Sequence, residues 1–298
     1  MAQSAPKRTW TVQEALDWTR AYLERKGDEN PRLSAEWLLS AATGLSRLEV
    51  YAYFDRPLDK HELATLHEGV ARRAKGEPLQ YVTGEMGFRH IVVRCEPGAL
   101  IPRPETEWLV EYALPQVKQA VASRGCARVL EVGTGTGCIA CSIASEVPQA
   151  QVVATDISPD AISLATCNAE ALSLADRIAF VCCDLDAGLA EQDRAGFDLL
   201  ISNPPYIPTA ELPTLPREVS GYEPELALDG GADGLDVFRR LLACAPTWLA
   251  PGGLLACELH ETTLAAAAQL ASQAGLVDVQ IKQDLAGRDR VLLASVAS

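Results

Sequence analysis

From about residue 104 to the end, short apolar runs of strand type alternate with stretches of helical period, and few folds accommodate that rhythm. The runs 128–132, 151–155, 178–182, 197–202, 254–259, 277–281 and 291–296 read as seven strands. A helix carrying Leu109, Val110 and Ala113 precedes the first, and helices fall between most of the rest: one ending near Glu146, one running to Leu249 and one rich in alanine after residue 259. Ser158-Pro159 opens another, with the serine as cap and the proline in the first turn. Strands alternating with helices imply a mostly parallel sheet covered on both faces. In such sheets ligands bind beyond the carboxyl ends of the strands, near the point where strand order reverses. Candidate functional residues are therefore those that directly follow a strand.

The part before residue 80 reads differently. Thr11-x-x-Glu14, Ser46-x-x-Glu49 and Asp59-x-x-Glu62 are capping boxes that open helices. Ala15, Leu16, Thr19, Tyr22 and Leu23 recur at helical spacing, as do Ala35, Leu38, Leu39 and Ala42, with Gly44 placed to stop the second helix. Leu63, Leu66 and Val70 share a face of the last, and the bundle should end near Gly76-Glu77-Pro78. Two β-like stretches, 88–94 and 99–101, then suggest a hairpin. The expected division is a helical domain over 1–80, a hairpin linker over 81–103 and an α/β domain over 104–298. A length of 298 residues suits one large and one small domain.

The formal charge of −14 narrows the partners. Residues 1–80 hold 12 basic and 12 acidic side chains, leaving 14 against 28 for the remainder. So acidic a surface is poorly suited to gripping a phosphate backbone. No direct contact with nucleic acid is expected. Nine cysteines without a regular framework read as reduced thiols in the cytosol. Cys138-x-x-Cys141 has no second ligand pair among the histidines His61, His67, His90 and His260, so no metal is expected. Residues 1–10 carry no apolar signal core, and no apolar run is long enough to span a membrane. A cytoplasmic protein, monomeric and not membrane-bound, is the expectation.

After the first strand comes Glu131-Val132-Gly133-Thr134-Gly135-Thr136-Gly137. Glycines there let the backbone turn sharply and lie close against a ligand. The dinucleotide fingerprint needs a third glycine where Cys138 stands. Alternate glycines after an acid suit instead a ligand without phosphates, whose amino-acid end lies on the backbone. Asp156, after the second strand, is placed to accept ribose hydroxyls. Asp184 and Leu185, after the third, are placed to take an adenine amine and cover its ring. Asn203-Pro204-Pro205-Tyr206 follows the fourth strand and is the sharpest signal. Proline donates no N–H, so the carbonyls beside it stay free to accept. The Asn203 oxygen and the Pro204 carbonyl can thus hold both hydrogens of a planar NH2 group, with Tyr206 stacking on its face. Asn203 also borders the cofactor in this reading. Serine, histidine and cysteine triads are missing from the strand ends, which disfavours a hydrolase.

At these motifs the chain resembles the protein-(glutamine-N5) methyltransferases of the HemK/PrmC family, which modify peptide-chain release factors. Further matching stretches are Glu77-Pro78-Leu79-Gln80-Tyr81, Leu100-Ile101-Pro102-Arg103-Pro104-Glu105-Thr106-Glu107 and Tyr222-Glu223-Pro224-Glu225-Leu226-Ala227-Leu228. The resemblance implies a Rossmann-like class I methyltransferase sheet with a small helical bundle before it. It implies S-adenosylmethionine as cofactor and, as substrate, the glutamine of a Gly-Gly-Gln loop, with the helical domain helping to dock the release factor. One stretch departs from the family pattern: Glu258-Leu259-His260-Glu261-Thr262-Thr263 stands where an acid, a glycine and then a glutamine are expected. Arg103 and Glu223 are expected as a surface ion pair as readily as in any functional role.

Two other classes compete. An N-methyltransferase acting on an exocyclic amine of a nucleic-acid base would also need a flat NH2 pocket, but the neutral helical part and acidic remainder offer no basic channel. A nicotinamide-dependent dehydrogenase, or a nucleotide-binding module without chemistry, is the third class, and Cys138 argues against the dehydrogenase.

Overall fold

The computed structural model describes residues 9–298, so most of the start read above for a signal core lies outside the described residues. Four helices form where the capping signals place them: α1 (Val12–Arg25), α2 (Pro31–Thr43), α3 (Arg47–Ala52) and α4 (Lys60–Arg73). Thr11, Ser46 and Asp59 each exchange hydrogen bonds with the glutamate three residues on. Two otherwise orphaned N–H groups are satisfied at each of those helix starts. Gly44 ends α2 at a φ of 69°. The apolar faces meet in a core that includes Leu16, Leu23, Leu38, Leu39, Leu66 and Val70. Each such side chain contributes about 1.5–3 kcal/mol by leaving water. A fifth helix, α5 (Leu79–Thr83), follows where the sequence suggested a stop, because Pro78 caps a new turn rather than closing the old one.

The hairpin is displaced from its expected position. β1 (Glu85–Phe88) and β2 (Ile91–Arg94) pair antiparallel, with Phe88 opposite Ile91 across Arg89-His90. Arg89 takes a φ of 50°, the left-handed conformation that a two-residue hairpin turn needs. Residues 99–101 form no strand. The chain separates into two compact units. One runs to Gly84 and takes in Arg217–Tyr222, which includes the short helix α9 named below; the other comprises Glu85–Pro216 and Glu223–Ser298.

In the larger unit the elements are α6 (Thr106–Arg124), β3 (Ala127–Val132), α7 (Cys138–Glu146), β4 (Ala150–Asp156), α8 (Pro159–Ala171), β5 (Ile178–Cys182) and β6 (Phe197–Ser202). A proline-rich stretch, residues 203–235, follows, holding 3-10 turns and α9 (Arg217–Ser220). Then come α10 (Asp236–Trp248), β7 (Leu249–Glu258), α11 (Leu264–Gln273), β8 (Val277–Gln283) and β9 (Asp289–Ser295). The sheet has the order β5-β4-β3-β6-β7-β9-β8. Its first five strands run parallel, while β9 is antiparallel to both β7 and β8. Side chains alternate across it, as a period of two requires. Val129, Leu199, Ile201 and Ala256 join one core with Leu109, Val117 and Ile143 of α6 and α7. Leu130, Val132, Leu200 and Leu255 join the other with Phe238, Leu241 and Leu264 of α10 and α11.

Strand order reverses between β3 and β6, the central pair. Val132 lies opposite Thr155 on one side and Ser202 on the other, and Ser202 lies opposite Cys257. That register brings the residues after four strands to one edge. The Ser202 hydroxyl donates to the Val132 carbonyl at 2.7 Å, tying the end of β6 to the glycine loop. Among the described residues, no helix is long and apolar enough to cross a membrane.

Candidate active site

At the carboxyl ends of β3 to β6 the sheet opens into a cavity of about 230 Å³. Gly133, Thr134, Gly135, Thr136, Asp156, Asp184, Leu185, Asn203, Pro204 and Pro205 all stand on its wall. Three other expected site residues, Glu131, Gly137 and Tyr206, do not.

Glycine is needed in this loop for two different reasons. Gly133 and Gly135 have φ of 76° and 55°, and a Cβ on either would meet no protein atom within 4 Å. Both therefore face open space on the cavity side, where a ligand can lie against bare backbone. Gly137, with a φ of 78°, is held against α8 instead: a Cβ there would come within 3.0 Å of the Ala165 Cβ and 3.2 Å of its Cα. Its role is packing. Gly137→Ala is expected to cost about 1–3 kcal/mol through the left-handed backbone and the crowded contact. Thermal unfolding should register a fall in Tm on the order of 5 °C; an unchanged Tm would contradict the close approach.

Glu131 is fully buried beneath the loop. Its Oε2 accepts from the Thr134 hydroxyl at 2.8 Å, while Oε1 has no hydrogen-bond partner. Burial pushes its carboxyl up to about 8, against the opposing pull of Thr134. It supports the loop from behind rather than touching the cavity. Asp156 does face the cavity, and its carboxylate is already engaged, Oδ2 accepting from the Gly135 N–H and Oδ1 from the Ser158 N–H, both at 2.9 Å. Each oxygen keeps a second lone pair for a ligand hydroxyl. Asp184 is held by Arg240 of α10, which donates to its Oδ2 at 2.8 Å from the same cavity wall. Leu185 adopts a φ of 53°, a left-handed conformation that leucine takes only when its surroundings impose it. Cys138 and Cys141 are buried on α7, and burial pushes the Cys141 thiol up to about 12. Among the described residues no group of three metal-ligating side chains occurs.

Asn203 follows β6 directly. Its side-chain nitrogen donates to the Thr106 hydroxyl at 3.1 Å, so its oxygen is the end left for the cavity. Pro204 is buried, and among the described residues no backbone N–H donates to its carbonyl. Asn203 and Pro204 thus bring two acceptor oxygens to the cavity wall where the fourth strand ends. Tyr206 differs from expectation. Instead of stacking on a substrate in the cavity, its ring packs against the core beneath α10 and α11, and its hydroxyl donates to Glu258 Oε1 at 3.3 Å. Burying the ring and giving its hydroxyl a partner outweighs exposing it at the cavity.

Arg103 and Glu223 are not a surface pair. The Glu223 side chain is 1% exposed, paired to Arg103, and also accepts from the Ile101 N–H at 3.2 Å. Residues 99–103, partly read as a strand, instead run along the cavity wall, and Glu223 fastens them. Sequence reasoning placed Thr106 and Glu258 in family-like stretches but gave neither a role in the site. Glu258 ends the fifth parallel strand as Asp156 ends the second, so the rule that exposed Asp156 applied to it equally. The atypical stretch after it closes as a turn, the Thr263 N–H donating to the His260 carbonyl at 2.9 Å before α11 begins.

Residues 14–84 match a family model described as the PrmC N-terminal domain, and residues 115–213 match the methyltransferase small domain. A release factor glutamine methyltransferase of Geobacter sulfurreducens is 47% identical over 95% of this chain and 96% of its own length. Proteins of the same name from Rhodopirellula baltica and Chlorobaculum tepidum are 40% and 41% identical. Those alignments cover 98% and 96% of this chain, and 98% and 97% of the relatives. Among solved structures, the N-terminal domain of human METTL16 in complex with SAH superposes with a TM-score of 0.51 at 15% identity, over 94% of this chain and 95% of that one. At that identity the likeness speaks for the fold alone: a Rossmann-like class I methyltransferase sheet, mostly parallel and seven-stranded, preceded by helices and a hairpin.

Proposed function

The chain belongs to the release factor glutamine methyltransferase family, and from that premise we propose that it transfers a methyl group from S-adenosylmethionine to the side-chain amide nitrogen (N5) of the glutamine in the Gly-Gly-Gln motif of peptide-chain release factors. The observation that carries the substrate assignment is the Asn203 amide: its nitrogen is taken by Thr106, and its oxygen is left beside the Pro204 carbonyl. Two acceptors at that point match the two N–H groups of an NH2 and mismatch a carboxylate.

The cavity fits the cofactor on two observations. The backbone at Gly133 and Gly135 faces space that any side chain would fill, and Asp156 holds spare lone pairs at the position a ribose would take. In this reading Gly133 to Thr136 hold the amino-acid end, Asp156 the ribose, and Asp184 with Leu185 the adenine. Glu131 and Gly137 shape the loop from behind. Bound there, S-adenosylmethionine supplies an electrophilic methyl group on a sulfonium.

This chain's residues supply orientation and electrostatics. An amide nitrogen is a poor nucleophile because its lone pair is delocalised. Asn203 Oδ1 and the Pro204 carbonyl each hold one of its N–H groups, which raises electron density on nitrogen and aims it in line. Both acceptors are fixed beforehand, so positive charge growing on nitrogen is stabilised without reorganisation. Pro205 keeps the turn rigid. Both N–H groups stay hydrogen-bonded to the Asn203 and Pro204 oxygens during transfer, and one proton of the methylated nitrogen then passes to solvent, so no strong base is required.

The helical unit is proposed to dock the release factor, with the protein acting in the cytoplasm as a monomer, on a protein and not directly on nucleic acid or a membrane. The acidity of residues 81–298 supports a protein substrate over a nucleic-acid one. Incubating the protein with a release factor and labelled S-adenosylmethionine, then sequencing peptides by mass spectrometry, tests this. One methyl group on the Gly-Gly-Gln glutamine is expected. Label in nucleic acid, with none in the release factor, would contradict it.

A further inference from the structure

Behind the Asn203 amide lies a buried polar chain that the reading above leaves unused. Thr106, the first residue of α6, stands on the cavity wall and accepts from Asn203 Nδ2 at 3.1 Å. Beyond it is Glu258, the last residue of β7, which is fully buried and does not line the cavity. Glu258 Oε1 accepts from the Tyr206 hydroxyl at 3.3 Å, while Oε2 is buried with no hydrogen-bond partner among the described residues. β6 and β7 pair with Ser202 opposite Cys257, so Glu258 and Asn203 are the next residues at neighbouring strand ends, and the Thr106 hydroxyl that Asn203 bonds is among the groups favouring the ionised carboxyl.

An asparagine amide has nearly the same shape with oxygen and nitrogen exchanged, so only its partner decides which end faces outward. Threonine alone does not decide it, because a hydroxyl donates or accepts equally well. An ionised carboxylate behind the threonine does, since it only accepts. It draws the single hydroxyl proton of Thr106 toward itself and leaves a lone pair for Asn203 Nδ2. Asn203 Oδ1 is then the atom presented to the cavity.

Resting on the assignment of Asn203 Oδ1 to the substrate amide, we propose that Glu258 is a positioning residue for methyl transfer, acting through Thr106 to hold the Asn203 oxygen toward the substrate NH2 group. A protonated Glu258 can itself donate to Thr106, whose proton is then free to turn to an exchanged Asn203 amide. That arrangement presents NH2 to NH2 and does not bind substrate productively.

The surroundings of Glu258 place its titration in a useful range. Burial is the main influence and pushes the carboxyl up to about 7, with Glu105 adding to the rise and Thr106, Arg290 and Tyr206 opposing it. The groups facing it are Glu105 and Thr106 at the start of α6, Tyr206 after β6, and Arg290 on β9, with His260 6.3 Å from the Tyr206 ring. Below that pH the neutral form dominates and the orientation of Asn203 is no longer enforced; above it the orientation is held.

The test compares Glu258→Gln, Thr106→Val, Thr106→Ser and Asn203→Ala with the natural protein, measuring kcat and KM for a release factor from pH 5.5 to 9, and Kd for S-adenosylhomocysteine. Glu258→Gln and Thr106→Val are expected to lower kcat by about 10- to 100-fold, the scale on which supporting partners act. Cofactor affinity should stay unchanged. Thr106→Ser keeps the hydroxyl and should recover most of the rate lost in Thr106→Val. The natural protein should lose kcat as pH falls through about 7, and Glu258→Gln should lack that limb. An unchanged acid limb in Glu258→Gln, or a rate loss matched by an equal loss of cofactor affinity, overturns the proposal. If Glu258→Gln does not fold, the Thr106 pair decides: equal rates in valine and serine variants overturn it. Full turnover in Asn203→Ala would instead remove the reading of Asn203 on which the proposal rests.

Discussion

Replacing Asn203 by alanine is expected to lower kcat for glutamine methylation by about 100- to 1,000-fold, the cost of removing one preorganised group that stabilises charge in a transition state. The loss should fall on turnover and hardly on the cofactor, because the Asn203 oxygen is directed to the substrate and its nitrogen is occupied by Thr106. Single-turnover rates with a release factor, set beside calorimetric binding of S-adenosylhomocysteine, separate the two effects. Turnover near the natural rate would show that the amide is gripped elsewhere. The folded structure should survive, since Asn203 is only half-buried and its one described side-chain bond is to Thr106.

The second large effect is expected at Asp156. Asp156→Ala should weaken binding of S-adenosylhomocysteine by about 1.5–3 kcal/mol, the range for hydrogen bonds to a charged group. That is about a 10- to 150-fold rise in Kd. Part of the loss arises from the loop itself, because the same carboxylate holds the N–H groups of Gly135 and Ser158. Asp156→Asn keeps one side-chain oxygen and should fall between the natural protein and the alanine variant. An unchanged Kd in Asp156→Ala would take Asp156 out of the ribose position.

What the sequence revealed and what it hid divide along a physical line. Periodicity and capping are local, and they were legible: β5 and β6 begin and end at the residues expected, and three capping boxes form as written. The residues just after β3 to β6 were legible too, because parallel topology alone assigns them to one edge. The hairpin was misplaced since its turn uses Arg89 at positive φ, where no glycine or asparagine marks it. Burial was the other blind spot. Arg103 with Glu223, and Tyr206 with Glu258, are separated by 120 and 52 positions, and only the closed sheet brings them together. Nothing local distinguishes a buried carboxylate from an exposed one. Tyr206 shows the consequence, because its motif was recognised while its direction, set by the core behind it, was not.

Methyl transfer at this site requires a substrate NH2 group lying between the Asn203–Pro204 acceptors and the donor sulfur. A crystal structure with S-adenosylhomocysteine and a Gly-Gly-Gln peptide measures this directly. The predicted result has the glutamine nitrogen bonded to Asn203 Oδ1 and the Pro204 carbonyl at about 2.7–3.2 Å, with the cofactor sulfur facing that nitrogen in line. A sulfur turned away from Asn203, or a glutamine amide held by other residues, would contradict it.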